Sequence, residues 1–221
     1  MTAPGWPVRL QHGAVGLRPL RRRDARAWVE VRVRNEAWLA PWEGRPEAAP
    51  AASWPERHSR AVFATMYRSS RREARAGRSL PLVVTHEGRL AGQVTVSNIV
   101  RGAFDSAAVG YWVDERVAGK GVTPTALAMV VDHCFTVLGL HRVEADVRPE
   151  NAASLRVVRK LGFVEEGLHR RFLFIDGDWR DHLCFSLLRD DVPPTGLLRR
   201  WLASSPGASD RPEGESHQSH Q

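Results

Sequence analysis

Hydrophobic residues recur along this chain with two different periods, and the change of period separates predicted strands from predicted helices. Short runs that alternate apolar and polar positions, or are apolar throughout, are typical of strands, whereas an apolar residue at every third or fourth position is typical of helices. Strands are predicted at residues 15–20, 80–86, 90–100, 106–115, 141–147, 164–175 and 179–188. Helices are predicted at residues 24–39, 53–76, 122–138 and 152–160.

Capping and turn residues support the ends of several elements. Asp24 is a suitable helix N-cap, and Ser53–Glu56 forms a capping box with proline in the first turn. Gly77 stands where a helix often ends in a left-handed residue. Asp176-Gly177 is a strong signal for a hairpin between the last two strands. Residues 38–52, rich in proline and alanine, predict a loop.

The order of elements predicts an α/β fold in one domain, expected over residues 8–190. Consecutive antiparallel-type strands, followed by alternating helices and strands, indicate a single mixed antiparallel and parallel sheet flanked by helices. From Pro193 to residue 221 the chain is rich in Pro, Ser, Gly and His, which predicts a disordered tail apart from a short turn at Leu197–Leu202.

Composition narrows the class of protein. Cys134 and Cys184 lie in apolar runs without metal-ligand spacing and are expected to be core thiols in a reducing compartment. The chain starts without an apolar leader, and no run reaches the length of a membrane helix. A cytoplasmic protein without membrane contact is therefore expected.

Positive charge is concentrated in the first third of the chain. Residues 1–80 hold 16 Arg and 7 acidic residues, a net charge of +9. Such a surface favours contact with a polyanion such as RNA or a ribosome. A solvated helix face is the alternative interpretation of the same residues.

Glycines mark the junction between strand 106–115 and the helix that follows. The spacing of Gly119 and Gly121 is too short for a Walker loop, and Thr125 stands where a dinucleotide fingerprint needs a third glycine. A short loop whose backbone N–H groups bind a pyrophosphate at a helix N-terminus fits the pattern. A purely structural turn is the alternative.

A second segment accompanies this loop. Asn151, Ser154 and Leu161–Phe163 follow a predicted strand within NAASLRVVRKLGF, and the first loop reads RVAGKGV. Together the two motifs resemble the Gcn5-related N-acetyltransferase (GNAT) superfamily. LRPLRRRDA, WLAPWE, GYWVDE and IDGDWRDH resemble its branch of ribosomal-protein alanine and serine N-terminal acetyltransferases, the Rim type.

The resemblance implies a sheet with a central V-shaped splay into which the pantetheine arm of acetyl-CoA inserts. Backbone groups near Trp112 and Val113 would hold that arm like an added strand, and Asn151 belongs to the second CoA-contacting segment. The implied pyrophosphate loop comprises Ala118, Gly119, Lys120, Gly121, Val122 and Thr123. Thr123 departs from the usual pattern, and its hydroxyl is expected either to reach a phosphate or to cap the helix.

Acetyl transfer to an amine also requires groups that move protons. Val158 occupies the place where many members of the superfamily carry a tyrosine acid, and the Rim-like branch implies Ser154 instead. Asn151 and Ser154 also suit N-cap and N3 positions, so both could serve the helix alone. Asp146 on strand 141–147 is the first candidate base and Glu115 the second.

Aromatic and acidic loops are candidates for the acceptor site. Trp42, Glu43, Asp176 and Trp179 are expected to line a groove whose acids attract an ammonium group and whose tryptophans admit only small first residues. The histidines share no ligand spacing, so no metal is expected.

These features predict an acetyl-CoA-dependent N-acetyltransferase that acts directly on the N-terminal α-amine of a protein, most naturally a ribosomal one. Two alternatives stay open. One is acetylation of a small amine such as a drug, polyamine or amino acid. The other is a catalytically weak module that binds RNA or ribosomes through the basic first third.

Overall fold

Eight strands form one mixed sheet in the computed structural model, which describes residues 5–204. The sheet order is β1-β2-β3-β4-β5-β6-β8-β7, and every neighbouring pair is antiparallel except β5 and β6. The predicted α/β class and mixed sheet are confirmed. The strands are β1 (Leu10–His12), β2 (Val15–Pro19), β3 (Leu80–His86), β4 (Arg89–Val100), β5 (Ser106–Val113), β6 (Arg142–Val147), β7 (Val164–Ile175) and β8 (Asp178–Leu188).

The sheet opens between β5 and β6. These parallel strands pair only from Ser106–Ala108 to Arg142–Glu144, and beyond Ala108 they diverge. On its other edge β5 stays paired with β4 as far as Val113. The V-shaped splay implied by the resemblance is therefore present, and it lies just before the glycine loop.

Helices cover both faces of the sheet. Twelve of the fifteen residues of α5 are buried, and this helix packs in the larger core. On the opposite face α1 and α4 build a smaller core around Trp28, Phe63 and Val83. The helices are α1 (Ala25–Arg34), α2 (Glu36–Leu39), α3 (Trp54–Arg57), α4 (Arg60–Arg75), α5 (Val122–Thr136), α6 (Ala152–Lys160) and α7 (Leu197–Ser204).

Three predictions in the helical regions differ from the structure, and the first is helix 24–39, which is divided at Asn35 into α1 and α2. The helix after the capping box at Ser53 is broken, because Ser59 takes an extended conformation and caps a new helix, with its hydroxyl accepting from the Val62 N–H at 3.4 Å. The predicted loop at 38–52 begins instead with the end of α2 and a 3-10 turn at Ala40–Trp42. The end of α4 is as predicted, with Gly77 at φ 74°.

The tail also differs from its prediction over the residues that the structure describes. Where a short turn was expected, Leu197–Ser204 forms α7, and the Leu197 side chain is fully buried. The fold therefore continues past residue 190. The rest of the predicted disordered tail, residues 205–221, lies outside the described residues. Within residues 5–204 no helix combines the length and apolarity needed to cross a membrane.

Candidate active site

A cavity of about 1070 Å³ opens at the splay, bounded by β5, the glycine loop, the start of α6 and the segment that follows α2. Most of the predicted site residues line it. They are Trp42, Glu43, Trp112, Val113, Ala118, Gly119, Lys120, Gly121, Val122, Thr123, Asn151 and Ser154. Asp146, Glu115, Asp176 and Trp179 do not line this cavity.

The glycine loop presents backbone donors at the N-terminus of α5. Gly119 and Gly121 have φ angles of 77° and 74°, a conformation that side chains strain, so glycine is needed for the turn itself. Gly121 is the N-cap of α5. The N–H groups of Gly121, Val122 and Thr123 therefore lie in the first turn, where a helix supplies no acceptor. Together with the helix dipole they suit an anion.

The capping interpretation of Thr123 is wrong, because Gly121 holds the cap position and Thr123 is the second helical residue, facing the cavity. Two other loop amides are already used. The Ala118 N–H donates to the Glu115 carbonyl at 3.0 Å, and the Lys120 N–H donates to the Val117 carbonyl at 3.4 Å. Neither amide is as free for an anion as the three at the helix start.

The free edge of β5 belongs to Val113 rather than to Trp112. The Asp114 N–H donates to the Ala91 carbonyl of β4 at 2.7 Å, and backbone groups alternate along a strand. Trp112 therefore directs its N–H and C=O toward β4, which corrects its prediction as a backbone contact. Val113 faces the splay, and its carbonyl accepts the Trp38 indole N–H at 3.1 Å.

Ser154 lies at the cavity wall beside a tyrosine that the sequence did not single out. Its backbone N–H donates to Asn151 Oδ1 at 3.0 Å, so Asn151 caps α6. Its hydroxyl lies 2.7 Å from the Tyr111 hydroxyl on β5. Burial raises the pKa of Tyr111 to about 12, so this phenol stays protonated near neutral pH. The pairing depends on strand register, which no local sequence signal reports.

Asp146 lies on β6 beyond the residues that pair with β5, and its side chain is half-buried. His169 Nδ1 is 3.1 Å from its carboxylate. Burial raises the pKa of Asp146, and the nearby imidazole opposes that shift. Donor atoms of Asp146, His169 and Cys184 lie within 4.8 Å of one another, a grouping that the histidine spacing along the chain did not predict.

Glu115, the second candidate base, is exposed and does not line the cavity. The buried acid here is its neighbour Asp114, which binds the Arg34 guanidinium and accepts from Asn35 Nδ2 at 2.9 Å. Asn35 Oδ1 in turn accepts the Glu115 N–H at 3.0 Å. This network fixes the strand end to α1 and offers no proton acceptor to the cavity.

The two predicted acceptor loops meet in space. Gly44 forms an antiparallel bridge with Ile175, and the Arg45 N–H donates to the Phe174 carbonyl at 3.0 Å. Trp179, in the hairpin with Asp176, stacks edge-on against Phe174 at 5.8 Å and is 42% exposed. The hairpin therefore supports the loop that carries Trp42 and Glu43.

Glu43 is already neutralised by protein cations, contrary to its predicted role in attracting an ammonium group. Its carboxylate binds Arg32 and lies 3.4 Å from Arg57 and 3.0 Å from His58. His58 Nδ1 donates to the Trp54 carbonyl at 2.8 Å, which leaves Nε2 to accept from Arg32 at 2.7 Å. Burial, then the Arg32 charge, lowers the pKa of His58 to about 4.

Arg32 is the cavity residue that sequence reasoning missed most completely. Its guanidinium carbon lies 5.7, 5.1 and 4.9 Å from the ring centroids of Trp28, Trp54 and Trp112. Burial, then the charge of Arg57, lowers the pKa of Arg32 to about 9. Cation–π contacts of this kind stabilise a buried guanidinium.

A splayed mixed sheet with an anion-binding loop at its opening is the arrangement of an acetyltransferase. The family description "Acetyltransferase (GNAT) domain" matches residues 14–164, and the chain belongs to this family. The chain is similar in structure to Mycobacterium smegmatis RimJ, solved in complex with CoA-disulfide. That structure is 42% identical and superposes with a TM-score of 0.86 over 91% of this chain and 96% of its own.

Two curated relatives match this chain over different lengths. The [ribosomal protein uS5]-alanine N-acetyltransferase of Escherichia coli is 29% identical over 189 residues, 85% of this chain and 94% of that enzyme. The probable N-acetyltransferase YjcK of Bacillus subtilis is 43% identical over 105 residues, 48% of this chain and 58% of that relative. The predicted acetyltransferase family is thus confirmed.

Proposed function

We propose that this enzyme transfers the acetyl group of acetyl-CoA to the N-terminal α-amine of a protein, with a ribosomal protein as the natural acceptor. The observation that carries the proposal is the cavity at the splay. The anion-binding helix start forms one side, and the Trp42 segment, supported by the β7–β8 hairpin, forms the other. A cofactor and a polypeptide end can thus approach the same point from opposite sides.

The residues present fit acetyl-CoA as the acetyl donor. The Val113 N–H, on the edge of β5 that faces the splay, would bind the pantetheine arm, and the amides of Gly121, Val122 and Thr123 would hold the pyrophosphate. Asn151 is the cap of α6 and also borders this part of the cavity. The relative solved with CoA-disulfide supports this assignment.

Neither cysteine lines the cavity, which supports direct transfer without an acyl-enzyme. Burial raises the pKa of Cys134 to about 12 and that of Cys184 to about 11, so neither supplies a thiolate near neutral pH. The amine attacks the thioester carbonyl, the new C–N bond forms as the C–S bond breaks, and the leaving thiolate takes a proton. We assign that proton donation to Ser154, whose side chain lines the cavity.

The acceptor amine must lose a proton, and an α-amine makes this easy. Its pKa is about 7.7–8.0, whereas that of a lysine side chain is about 10.4. Asp146 does not line the cavity, so we assign it the weaker role of accepting the proton through water, with His169 beside it. A site with such a modest base suits an α-amine better than lysine.

The size of the acceptor's first residue is limited by Trp42, which lines the cavity while Trp179 does not. The Arg148 guanidinium carbon lies 5.4 Å from the Trp42 ring centroid and its Nη1 donates to the Pro41 carbonyl at 2.7 Å, so the indole is fixed from behind. Alanine and serine fit this restriction. The E. coli relative is named for an alanine acceptor on a ribosomal protein.

We further propose that the basic first third guides the enzyme to ribosomes in the cytoplasm. Along α4 several arginines are exposed, and they form an open positive surface next to α1. These exposed residues are Arg60, Arg68, Arg71, Arg72 and Arg75. Acetylation of a small amine is the competing enzymatic function, and a binding module without turnover is the competing non-enzymatic one.

Paired peptides test the proposal. Each pair shares one sequence with an N-terminal Ala or Ser and an internal Lys, and one member has a blocked N-terminus. Fragmentation mass spectrometry should locate the new acetyl group on the free α-amine. Label mainly on lysine, or only on free small amines supplied in parallel, would refute the protein N-terminal assignment. Absence of thiol release with every acceptor would favour the binding module.

A further inference from the structure

The last three strands in the sheet order carry a group of three different metal-binding side chains. Asp146 on β6 lies directly opposite Cys184 on β8, and Cys184 lies opposite Gly167 on β7. His169 is two residues beyond Gly167, so its side chain projects from the same face. The carboxylate oxygen, the sulfur and the imidazole nitrogen lie within 4.8 Å of one another. None of the three residues lines the cavity.

The group lies on the face of the sheet opposite α5 and α6. Val143, Ala145 and Val147 alternate with the polar residues of β6 and are buried in the larger core. The Asp146 side chain therefore projects from the other face. The His169 side chain is exposed, whereas the Cys184 side chain is buried. An ion can thus enter from solvent and be enclosed by protein on its inner side.

The Asp146 carboxylate has no guanidinium partner, unlike the acids beside it. Glu144 and Glu166 are both bound by Arg142. In the part of the chain that the structure describes, the one ion-pair partner of Asp146 is His169, with Nδ1 3.1 Å from Oδ1. That pair lacks hydrogen-bond geometry, so the buried Oδ1 accepts no hydrogen bond from the described residues. An unsatisfied buried oxygen is costly, and a cation at this point would satisfy it.

We propose that Asp146, His169 and Cys184 form a site for Zn²⁺, and that the bound ion inhibits acetyl transfer. Carboxylate, imidazole and thiolate are the three ligand types that zinc uses in proteins, and a water molecule would complete a tetrahedral site. The Cys184 thiol proton leaves to solvent as the Zn–S bond forms. Mg²⁺ and Ca²⁺ prefer oxygen ligands, so they should not compete.

Inhibition follows from the role assigned to Asp146. In the proposed function its carboxylate, with His169 beside it, accepts the proton of the acceptor amine through water. Zinc would occupy the lone pairs of both groups, so neither would be free to take that proton. The binding of zinc depends on the three side chains alone, whereas its inhibitory effect rests on the proposed function.

Cobalt(II), which takes the same ligands as zinc, gives the site a spectroscopic signature. Titration of the reduced full chain with Co²⁺ should produce a thiolate-to-cobalt charge-transfer absorption that saturates at about one equivalent, and added Zn²⁺ should remove it. Cys184→Ala should abolish this absorption, whereas Cys134→Ala, the matched loss of the other buried thiol, should retain it. Histidines elsewhere in the chain supply no sulfur and cannot produce it. No absorption in the wild type, or its persistence in Cys184→Ala, would overturn the site.

Competition with a chromophoric zinc chelator tests the imidazole. His169→Gln should lower the zinc affinity about tenfold or more, because a ligand is lost. His141→Gln is the matched control, since His141 is also exposed and lies outside the group, and its zinc affinity should equal that of the wild type. Both substitutions are at exposed positions, so the fold should survive. Equal zinc affinities of His169→Gln and the wild type would refute the three-residue site.

Zinc-buffered assays test inhibition. Acetylated peptide is measured by mass spectrometry, because released CoA would itself bind zinc. The wild type should lose most of its activity when zinc saturates the site and regain it with chelator. Cys184→Ala should turn over normally without zinc and need about tenfold more zinc for half-inhibition. Zinc binding with unchanged or faster transfer would overturn the inhibitory effect. A metal-free wild type that acetylates no peptide would instead overturn the proposed function, and the metal-binding results would be unaffected.

Discussion

A variant without the Ser154 hydroxyl distinguishes two possible roles of this residue, donating a proton in catalysis and stabilising the start of α6. Ser154→Ala keeps the backbone N–H that donates to Asn151 and deletes only the oxygen 2.7 Å from the Tyr111 hydroxyl. Leaving the Tyr111 hydroxyl without its partner lowers the free energy of unfolding by about 1 kcal/mol. The higher helix propensity of alanine restores about 0.5 kcal/mol of it. The melting temperature should therefore fall by no more than about 3 °C.

Turnover should respond far more strongly than stability. Loss of a general acid lowers kcat by about 10²-fold or more, which corresponds to about 2.7 kcal/mol in the activation barrier. Acetyl-CoA affinity should stay within about twofold, since the interaction acts on the departing thiolate. The assay is thiol release with a saturating acceptor peptide, alongside calorimetry and thermal unfolding of the same preparations.

Tyr111→Phe and Ser59→Ala complete the design. If Tyr111 orients the Ser154 proton, Tyr111→Phe lowers kcat by about tenfold, and the double variant is no slower than Ser154→Ala alone. Ser59→Ala removes an N-cap hydroxyl from α4, so it should cost stability without affecting kcat. A Ser154→Ala enzyme with normal kcat and a large loss of thermal stability would show that the serine serves only the helix.

Three other perturbations have definite expected outcomes. Gly121→Asp should raise the Kd for acetyl-CoA about tenfold or more, because the added carboxylate repels the pyrophosphate. Gly139→Asp is the control: Gly139 has a similar φ of 67° and open space around it, so this variant should lose only stability. Equal acetyl-CoA affinities of the two variants in calorimetry would exclude the loop as the pyrophosphate site. For His58, the depressed pKa of about 4 means that stability present above pH 6.5 is lost as pH falls. Urea unfolding should show about 2 kcal/mol less stability at pH 5 than at pH 7, and His58→Gln should reduce that difference. The same pH difference in His58→Gln as in the wild type would show that His58 does not cause it. Asp132→Ala, which removes the carboxylate that accepts the Leu197 and Leu198 N–H groups at the start of α7, should accelerate hydrogen exchange in α7 and cost about 1 kcal/mol, and unaltered exchange would contradict the capping role.

Sequence reasoning succeeded where the signal is local. The capping box at Ser53, the hairpin at Asp176-Gly177 and the glycine turn before α5 each depend on neighbours within a few residues. It failed for contacts made across the fold. The Tyr111–Ser154 pair joins residues 43 positions apart, which only the packing of β5 and α6 in the folded chain brings together.

Arg32 and α7 show the same limit in other ways. Arg32 looks like any surface arginine until three tryptophans from three elements surround it. An eight-residue helix such as α7 is marginal by itself, and the cap that supports it, Asp132, lies 65 positions away from Leu197. Both features come from tertiary packing, which composition and periodicity do not encode.

Because β5 and β6 pair over only a short stretch, α5 is the main packing connection between the two halves of the sheet. Three paired residues on each strand connect the half-sheet that carries α1–α4 to the half that carries the hairpin. α5 contacts β1, β2 and β5 on one side and β6, α6 and α7 on the other. We therefore expect a volume change at a buried α5 position such as Ala126 to shift one half of the sheet relative to the other. Substitutions that contact neither cofactor nor acceptor can thereby lower kcat. Random mutagenesis should find such substitutions concentrated in α5.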